Sequence, residues 1–263
     1  MTIIERIKHM KKTRPETMTL VEHLTELRRR VMVTLIFFGA AGILCFIIYP
    51  QILHFLQEPY CHITRSCKLY VTGPLDGLSI RVEITAYGGA LLSLPLALFE
   101  AWRFITPGLK ANERRYTLLF VISAVLLFCL GAIIAYITFP HALGWLKSIG
   151  GSSLREIYTP TSYLGLILAL MAIFGICFEF PVVLVALELA GLLSPQKLSH
   201  WRRLSAFLIV AFAAVITPSS DPFSMFALAV PMYFFYEVSI LIGLLINRSK
   251  KKKAARLEEQ SSI

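Results

Sequence analysis

The chain has 263 residues, of which 56% are hydrophobic and only 16% are charged. A soluble domain carries about a quarter charged residues, so this composition excludes an ordinary soluble protein. Several apolar runs reach the roughly 20 residues that cross a hydrocarbon core of about 30 Å. The sequence therefore predicts an all-α integral membrane protein.

The formal net charge of +10 would suit a nucleic-acid-binding protein, but the basic residues cluster at alternate ends of the apolar runs. We place 8 of the 26 Lys and Arg residues before the first run, 4 in the turn at 102–115, 3 at 197–203 and 6 in the tail. That puts 21 on one side of the membrane and 5 on the other. The positive-inside rule then predicts cytoplasmic termini and an even number of spans, and nucleic acid is not an expected partner.

In chain order, residues 1–17 form a basic lead that we expect to be flexible, and residues 247–263 form a basic tail attracted to anionic lipid. Residues 18–246 between them form one membrane domain. Six spans are predicted, at about residues 31–49, 81–106, 114–139, 161–189, 204–216 and 223–246. The fifth is short, since about thirteen apolar residues reach only about 20 Å at 1.5 Å per residue.

The segment ahead of the first span, residues 18–30, has leucines at helical spacing and is predicted to be an amphipathic helix on the membrane surface. Glu26 lies on this helix, three and four residues before Arg29 and Arg30. An ordinary ion pair at such spacing contributes only a few tenths of a kcal/mol. Glu26 is therefore either half of such a pair or a carboxylate available to another cation.

The turn between the second and third spans, Trp102–Arg115, carries a helix break at Pro107-Gly108. Asn112 suits the cap of the next helix, which places Glu113 in its first turn, where the helix dipole favours an anion. The carboxylate of Glu113 either complements that dipole alone or also receives a cationic partner at the membrane surface. The residues of the turn leave both interpretations open.

Glu179 lies near the middle of the fourth span, two residues before Pro181. A proline at this point removes a backbone hydrogen bond and bends the helix. An ionisable side chain at such depth is costly and usually faces a cavity or a partner. Glu179 is therefore a candidate functional residue, and the alternative is a protonated glutamate bonded to a neighbouring helix.

Three residues near the outer loops have structural interpretations. Asp221 precedes the sixth helix and is predicted to cap it. Cys61 and Cys67 lie in the first outer loop, where an oxidising environment favours a disulfide between them, and two free thiols are the alternative. The sequence has no CxxC pair and no His/Cys spacing typical of a metal site, so no metal site is predicted.

Four stretches resemble those of one membrane-protein family. They are HLTELRRR (His23–Arg30), FITPGLKANERR (Phe104–Arg115), FGICFEFP (Phe174–Pro181), and ITPSSDPFS with ALAVPMYFFYE (Ile216–Glu237). In this order and spacing they are similar to the motifs of TatC, the signal-receptor subunit of the twin-arginine protein translocase. The resemblance covers roughly residues 20–246.

The resemblance implies six transmembrane helices in a concave, glove-shaped bundle, with both termini cytoplasmic and with short fifth and sixth helices. It implies a non-enzymatic core component of a translocase, which binds signal peptides with two consecutive arginines on already folded cargo. The implied partners are single-span TatA and TatB-type proteins, further copies of the chain and membrane lipids. Transport would be driven by the proton-motive force across the cytoplasmic membrane of a prokaryote, and the resemblance implies no bound cofactor.

Carried over residue by residue, the resemblance implies that Glu26 and Glu113 form the twin-arginine recognition patch. Arginine makes bidentate bonds with a carboxylate better than lysine does, which suits this role. Glu179 matches an intramembrane glutamate of the concave face, which would contact a single-span partner or the inserted signal. The supporting motif positions are His23, Leu27, Arg28, Pro59, Phe104, Pro107, Arg114, Arg115, Pro181 and Asp221. The pair Cys61 and Cys67 is not part of the family pattern.

Two other classes of membrane protein fit the sequence less well. A secondary transporter for a small solute favours inverted repeats and midplane binding residues in both halves, whereas only the second half here has a clear intramembrane acid. An intramembrane protease needs HExxH or a Ser/His pair within spans, and His141 and His200 sit at span ends. The translocase interpretation is therefore preferred.

Overall fold

The computed structural model describes residues 20–63, 69–105, 117–150, 158–189 and 191–261, and within these ranges the chain forms nine helices and no strand. The helices are α1 (Leu20–Ile47), α2 (Tyr49–Ile63), α3 (Asp76–Ile105), α4 (Thr117–Gly150), α5 (Pro160–Phe178), α6 (Phe180–Leu189), α7 (Pro195–His200), α8 (Arg202–Ile216) and α9 (Pro222–Ser261). The prediction of an all-α protein is confirmed for these ranges.

Within the described ranges, five segments are long and apolar enough to cross a membrane, so the chain is a multi-pass membrane protein. They are Leu24–Ile47, Asp76–Ala101, Leu118–Gly150, Pro160–Leu189 and Pro222–Arg248. These segments correspond to every predicted span except the fifth. The fifth corresponds to α8, whose 15 residues extend about 22 Å and fall short of a hydrocarbon core of about 30 Å. The prediction that this helix is short is confirmed.

Three helices run past the predicted ends of their spans. α1 is continuous, so the predicted surface helix and the first span are one helix. α4 passes through Pro140, where the third span was predicted to end, because neighbouring helices can satisfy the carbonyl that a proline frees. α9 passes through Pro231 and has 40 residues, so the expectation of a short sixth helix is wrong. The basic tail continues α9 because Lys, Ala, Arg, Leu and Glu are all good helix formers.

The fourth span, predicted to bend at Pro181, is interrupted just before that residue. α5 ends at Phe178 and α6 begins at Phe180, with Glu179 between the two helices. The N–H of Glu179 donates to the carbonyl of Ile176 at 3.1 Å, which interrupts the regular i to i−4 ladder. We call this point the α5–α6 break.

The two largest helix–helix interfaces, α1 with α3 and α4 with α5, are packed through glycines. A Cβ atom on Gly89 of α3 would lie 3.0 Å from the Cα of Gly42 in α1. A Cβ atom on Gly131 of α4 would lie 2.6 Å from the carbonyl oxygen of Phe174 in α5. Small residues at such contacts let membrane helices approach at backbone distance.

The buried core is built mainly from side chains of α4, α5 and α9, and α2 covers one end of it. The hydroxyl of Tyr163 donates to the backbone oxygen of Leu56 in α2 at 2.9 Å. The ring of Tyr163 also packs edge-on against Tyr60 and Phe139. Aromatic side chains thus fasten α2 to the membrane helices, because their rings are buried while their hydroxyls still find acceptors.

Asp221 caps α9, which confirms the predicted role. Its Oδ1 atom accepts a hydrogen bond from the backbone N–H of Ser224 at 2.7 Å, and its other oxygen accepts one from the hydroxyl of Ser219. Asp221 is only 1% exposed, so these bonds take the place of water around the carboxylate.

Cys61, near the end of α2, is disulfide-bonded. Its predicted partner Cys67 lies outside the described residues. The pairing of these two cysteines therefore stays a prediction.

Candidate functional site

Of the two acids predicted to bind arginine, only Glu26 lies within the described residues. Glu113 and its motif neighbours Pro107, Arg114 and Arg115 lie outside them, as does the side chain of His23. The geometry of the site is therefore built from Glu26 outward.

Glu26 forms an ion pair with Arg30, one turn later on α1, through its Oε1 atom and the Nη2 atom of the arginine. Arg30 also reaches α3. Its Nη1 atom lies 3.1 Å from the backbone oxygen of Glu100 and 3.4 Å from Oε2 of the same residue. One guanidinium thus contacts two carboxylates on two helices, and we call Glu26, Arg30 and Glu100 the Arg30 cluster.

The Arg30 cluster combines a contact between residues one helical turn apart with a contact between residues far apart in the sequence. The pair of Glu26 and Arg30 follows from i, i+4 spacing, and it is one of the two pairs that the sequence allows. The side chain of Arg29, the other predicted partner, is exposed. Glu100 lies 70 residues after Arg30 and reaches it because α1 begins at the end of the bundle where α3 ends. The antiparallel packing of the two helices therefore completes the cluster.

The cluster is shielded from solvent to different degrees. The side chains of Arg30 and Glu100 are 12% and 14% exposed, while that of Glu26 is 27% exposed. An exposed ion pair contributes about 1 kcal/mol or less, whereas removing one partner of a buried pair costs about 3–5 kcal/mol. The Arg30 cluster falls between these limits, and Glu26 is the carboxylate that an incoming cation would meet first.

The other motif positions divide between the surface and the interior. Leu27 and Arg28 are exposed on α1, and Phe104 is partly buried near the end of α3. Pro59 and Pro181 are both buried, the first within α2 and the second at the start of α6. The burial of the prolines agrees with an architectural role, since each shapes a helix that packs against the core.

Glu179 is held at the α5–α6 break. Its Oε1 atom is buried and has no hydrogen-bond partner among the described residues. The alternative prediction, a hydrogen bond to a neighbouring helix, is therefore not met by this atom in the described part of the chain. A buried acceptor left without a donor is costly, which sets this oxygen apart from the polar atoms of the span that do have partners.

Sequence reasoning missed Glu188, near the end of α6. Both of its carboxylate oxygens are buried without a hydrogen-bond partner in the described ranges. They lie against Gly243 of α9, where any Cβ atom would overlap them. Its position at the end of a predicted span gave Glu188 no distinctive signal, since acids are common there.

A second ion pair between helices joins α8 to α9. Arg202 Nη2 lies 3.0 Å from Glu237 Oε2, and the hydroxyl of Tyr233 donates to the other oxygen of Glu237 at 3.1 Å. The side chain of Arg202 is 46% exposed, so this pair is weaker than the Arg30 cluster. Within the described ranges, no group of three or more His, Cys, Asp or Glu side chains is arranged to hold a metal ion.

Comparison with known proteins points to one family. The family model for TatC, described as Sec-independent protein translocase protein (TatC), matches residues 22–231. The chain is 43% identical over 243 residues to the Sec-independent protein translocase protein TatC of Frankia casuarinae, a match that covers 88% of this chain and 67% of that protein. It is 34% identical over 242 residues to the protein of the same name from Aquifex aeolicus, covering 89% of this chain and 98% of that protein.

The matched proteins differ in length and share one fold. A match to the Corynebacterium kroppenstedtii protein, at 33% identity, spans only 66% of that relative's length. The crystal structure of a twin-arginine translocase receptor, TatC, aligns with a TM-score of 0.70 at 32% identity, over 85% of this chain and 99% of that one. The motifs, the helical fold and these similarities together show that the chain belongs to the TatC family of Sec-independent protein translocase proteins.

Proposed function

We propose that this chain is the signal-receptor subunit of a twin-arginine translocase and that it binds signal peptides with two consecutive arginines. The similar crystal structure is that of a twin-arginine translocase receptor, which supports the assignment. The observation that carries the proposal is the Arg30 cluster, in which Glu26 already binds a guanidinium. A carboxylate that holds one guanidinium has the geometry to hold another.

Glu113 completes the recognition patch in this proposal. Most of the chain's basic residues fall on the side that carries the patch, and they would repel a cationic peptide. Glu26 and Glu113 supply the local attraction. Arginine is preferred to lysine because its planar guanidinium bonds a carboxylate in a bidentate manner, while an ammonium group acts as a point charge.

The proposed orientation puts the Glu26 end of the bundle and both termini in the cytoplasm, with the chain in the cytoplasmic membrane of a prokaryote. In this orientation 21 of the 26 basic residues face the cytoplasm. The proposed partners are single-span TatA and TatB-type proteins, further copies of this chain, and anionic lipids at the basic tail. The proton-motive force drives the export of folded cargo.

Glu179 is proposed to contact a polar group of a single-span partner or of the inserted signal peptide. Its support is the buried Oε1 atom, which has no donor among the described residues. Hydrogen bonds between membrane helices contribute about 1 kcal/mol, which is enough to favour one docking position over another.

The test is photo-crosslinking of labelled signal peptides to the full chain in membranes, with Arg-Arg and Lys-Lys peptides compared side by side. We expect capture of the Arg-Arg peptide, and loss of that capture in Glu26→Gln and Glu113→Gln. The control is Glu58→Gln, which removes an exposed acid from α2 and should leave capture unchanged. Equal capture of both peptides, or normal capture by both acid variants, would reject the receptor assignment and favour a solute transporter.

A further inference from the structure

Arg30 binds three acceptors, two of which belong to one residue of another helix. Its Nη2 atom pairs with Glu26, while its Nη1 atom donates to the backbone oxygen and the carboxylate of Glu100, at 3.1 and 3.4 Å. Arg30 and Glu100 are also the two most shielded members of the Arg30 cluster. If the contact with Glu26 is broken, Arg30 still has acceptors without leaving its position.

An arginine from a bound peptide has to compete with Arg30 for Glu26. Displacing a shielded guanidinium that has no other acceptor would leave a charge both desolvated and unpaired, which is strongly unfavourable. Glu100 removes most of this penalty, because charge-assisted bonds to its carboxylate and its carbonyl remain. The guanidinium of the peptide arginine then replaces that of Arg30 at the carboxylate of Glu26.

We propose that Glu100 is a positioning residue for arginine recognition, which holds Arg30 aside when a peptide arginine takes Glu26. The inference rests on the proposed function, and it adds a residue that lies outside the four family-like stretches. Before a peptide arrives, Arg30 occupies the place that the peptide arginine will take. Arg30 makes a single contact with Glu26, between Nη2 and Oε1, whereas a peptide arginine can bond a carboxylate in a bidentate manner. A lysine ammonium cannot, so it does not displace Arg30, and the resident arginine acts against the wrong ligand.

An alternative role for the same contacts is to tie α1 to α3 and nothing more. The two roles predict different results for the Lys-Lys peptide. If Glu100 only stabilises the helix pair, Glu100→Gln lowers the melting temperature and weakens binding together, Arg30→Gln reverses both losses, and selectivity between the peptides is unchanged. If Glu100 draws Arg30 away from Glu26, Arg30→Gln makes Glu100 unnecessary for Arg-Arg binding and also admits the Lys-Lys peptide.

The experiment measures equilibrium binding of fluorescent Arg-Arg and Lys-Lys signal peptides to the purified full chain in detergent, with thermal melting in parallel. We expect Glu100→Gln to bind the Arg-Arg peptide about tenfold more weakly, the loss of one charge-assisted bond. The double variant Arg30→Gln with Glu100→Gln should return to within about threefold of wild type. Arg30→Gln alone should bind the Lys-Lys peptide more tightly than wild type does, because the resident competitor is gone.

The matched control is the pair of Arg202 and Glu237, which also joins two helices. Arg202→Gln and Glu237→Gln, alone and together, should change peptide binding by less than about twofold. If Glu100→Gln does not fold, Glu100→Asp replaces it, since the shorter acid keeps its charge but loosens its hold on Arg30. The same comparison with and without Arg30→Gln then applies.

Wild-type affinity in Glu100→Gln, or a double variant that binds no more tightly than Glu100→Gln, overturns the proposal. Glu26→Gln separates this failure from that of the proposed function. If Glu26→Gln loses binding while Glu100→Gln keeps it, only the role of Glu100 is wrong. If Glu26→Gln binds the Arg-Arg peptide like wild type, the recognition site itself is wrong and the role of Glu100 falls with it.

Discussion

Two acids with proposed functions, Glu26 and Glu179, lie in opposite electrostatic settings. Glu26 shares the guanidinium of Arg30 with Glu100, in a partly shielded cluster between α1 and α3. Glu179 lies at the α5–α6 break inside a membrane span, and its buried Oε1 atom has no hydrogen-bond donor in the described ranges. The first acid already holds a cation, whereas this oxygen of the second has no donor.

The difference separates two kinds of recognition within one chain. A carboxylate that is already paired with a guanidinium can exchange it for another cation, so its selectivity is for charge and shape. An acceptor inside a membrane span is suited to a single polar group on an otherwise apolar partner helix, because every other contact there is with hydrocarbon. We infer that peptide recognition and assembly in the membrane are chemically independent. Glu179→Leu and the salt dependence test this directly, after two predictions about the packing that supports both sites.

The largest expected effect concerns the packing beside the α5–α6 break. In Gly131→Val the new side chain would meet the carbonyl oxygen of Phe174, because even a Cβ atom would lie 2.6 Å from it. A backbone atom cannot rotate away, so we expect a loss of about 3 kcal/mol, the upper part of the range for overpacking. Thermal melting in detergent measures this loss, and an unchanged melting temperature would mean that glycine packing does not hold this region.

Gly144→Ala is the matched control on the same helix. A Cβ atom built on Gly144 meets no atom within 4 Å. Alanine favours a helix over glycine by roughly 1 kcal/mol, so this variant should be as stable as wild type or slightly more stable.

Asp221→Ala comes next, because Asp221 is a buried carboxylate whose bonds to Ser219 and Ser224 lie within the chain. We expect a loss of about 2 kcal/mol, from the helix cap and from a backbone N–H left without an acceptor. Asp221→Asn, which keeps an acceptor for Ser224, should lose less. Binding of the Arg-Arg peptide per folded molecule should be unchanged, and a specific loss of binding would give Asp221 a role beyond capping.

Glu179→Leu tests the proposed association of Glu179 with a partner helix inside the membrane. The fold should be preserved, since leucine removes a buried unpartnered oxygen and adds apolar surface. Co-purification of a single-span partner should fall about tenfold, and Glu179→Gln, which keeps an acceptor, should fall much less. Arg-Arg peptide binding should be the same in all three proteins. Unchanged co-purification of Glu179→Leu would remove the proposed contact with a single-span partner.

The smallest effect is that of salt. Arg-Arg peptide binding at Glu26 should weaken about threefold as ionic strength rises from about 0.05 to 0.5 M, because the site is partly exposed and the Debye length shortens. Association through Glu179 should not respond, since it lies within a membrane span. Equal salt dependence of the two associations would show that they share one electrostatic origin.

The helices could be predicted from the sequence because length and hydropathy alone define a membrane span. The ends of the helices could not. The third span was predicted to end at Pro140, but this proline lies inside α4, since a membrane helix tolerates a proline that would end many soluble helices. At Pro181 a bend was predicted, and the structure interrupts the helix at Glu179. The effect of a proline on a membrane helix therefore cannot be predicted from the proline alone.

In the candidate site, contacts within one helix could be predicted from the sequence and contacts between helices could not. The pairing of Glu26 with Arg30 follows from helical spacing, and the structure contains it. Glu100 and Glu188 were not predicted as site residues, because their surroundings come from other helices: α1 for Glu100 and Gly243 of α9 for Glu188. Contacts between helices that are distant in sequence cannot be predicted from the residues around Glu100 or Glu188. The role of Glu113 stays a prediction, since it lies outside the described residues.

The unbroken length of α1 has a mechanical consequence. Its 28 residues extend about 42 Å, roughly 12 Å more than a hydrocarbon core, so an upright α1 raises about two turns above the lipid. Glu26 lies in that raised part and Arg30 one turn further along, and the same helix contacts α3 at Gly42 deep in the membrane. No loop separates the two positions. A force on the raised end would therefore tilt the whole of α1 against α3. Peptide binding would then be transmitted into the membrane without a hinge.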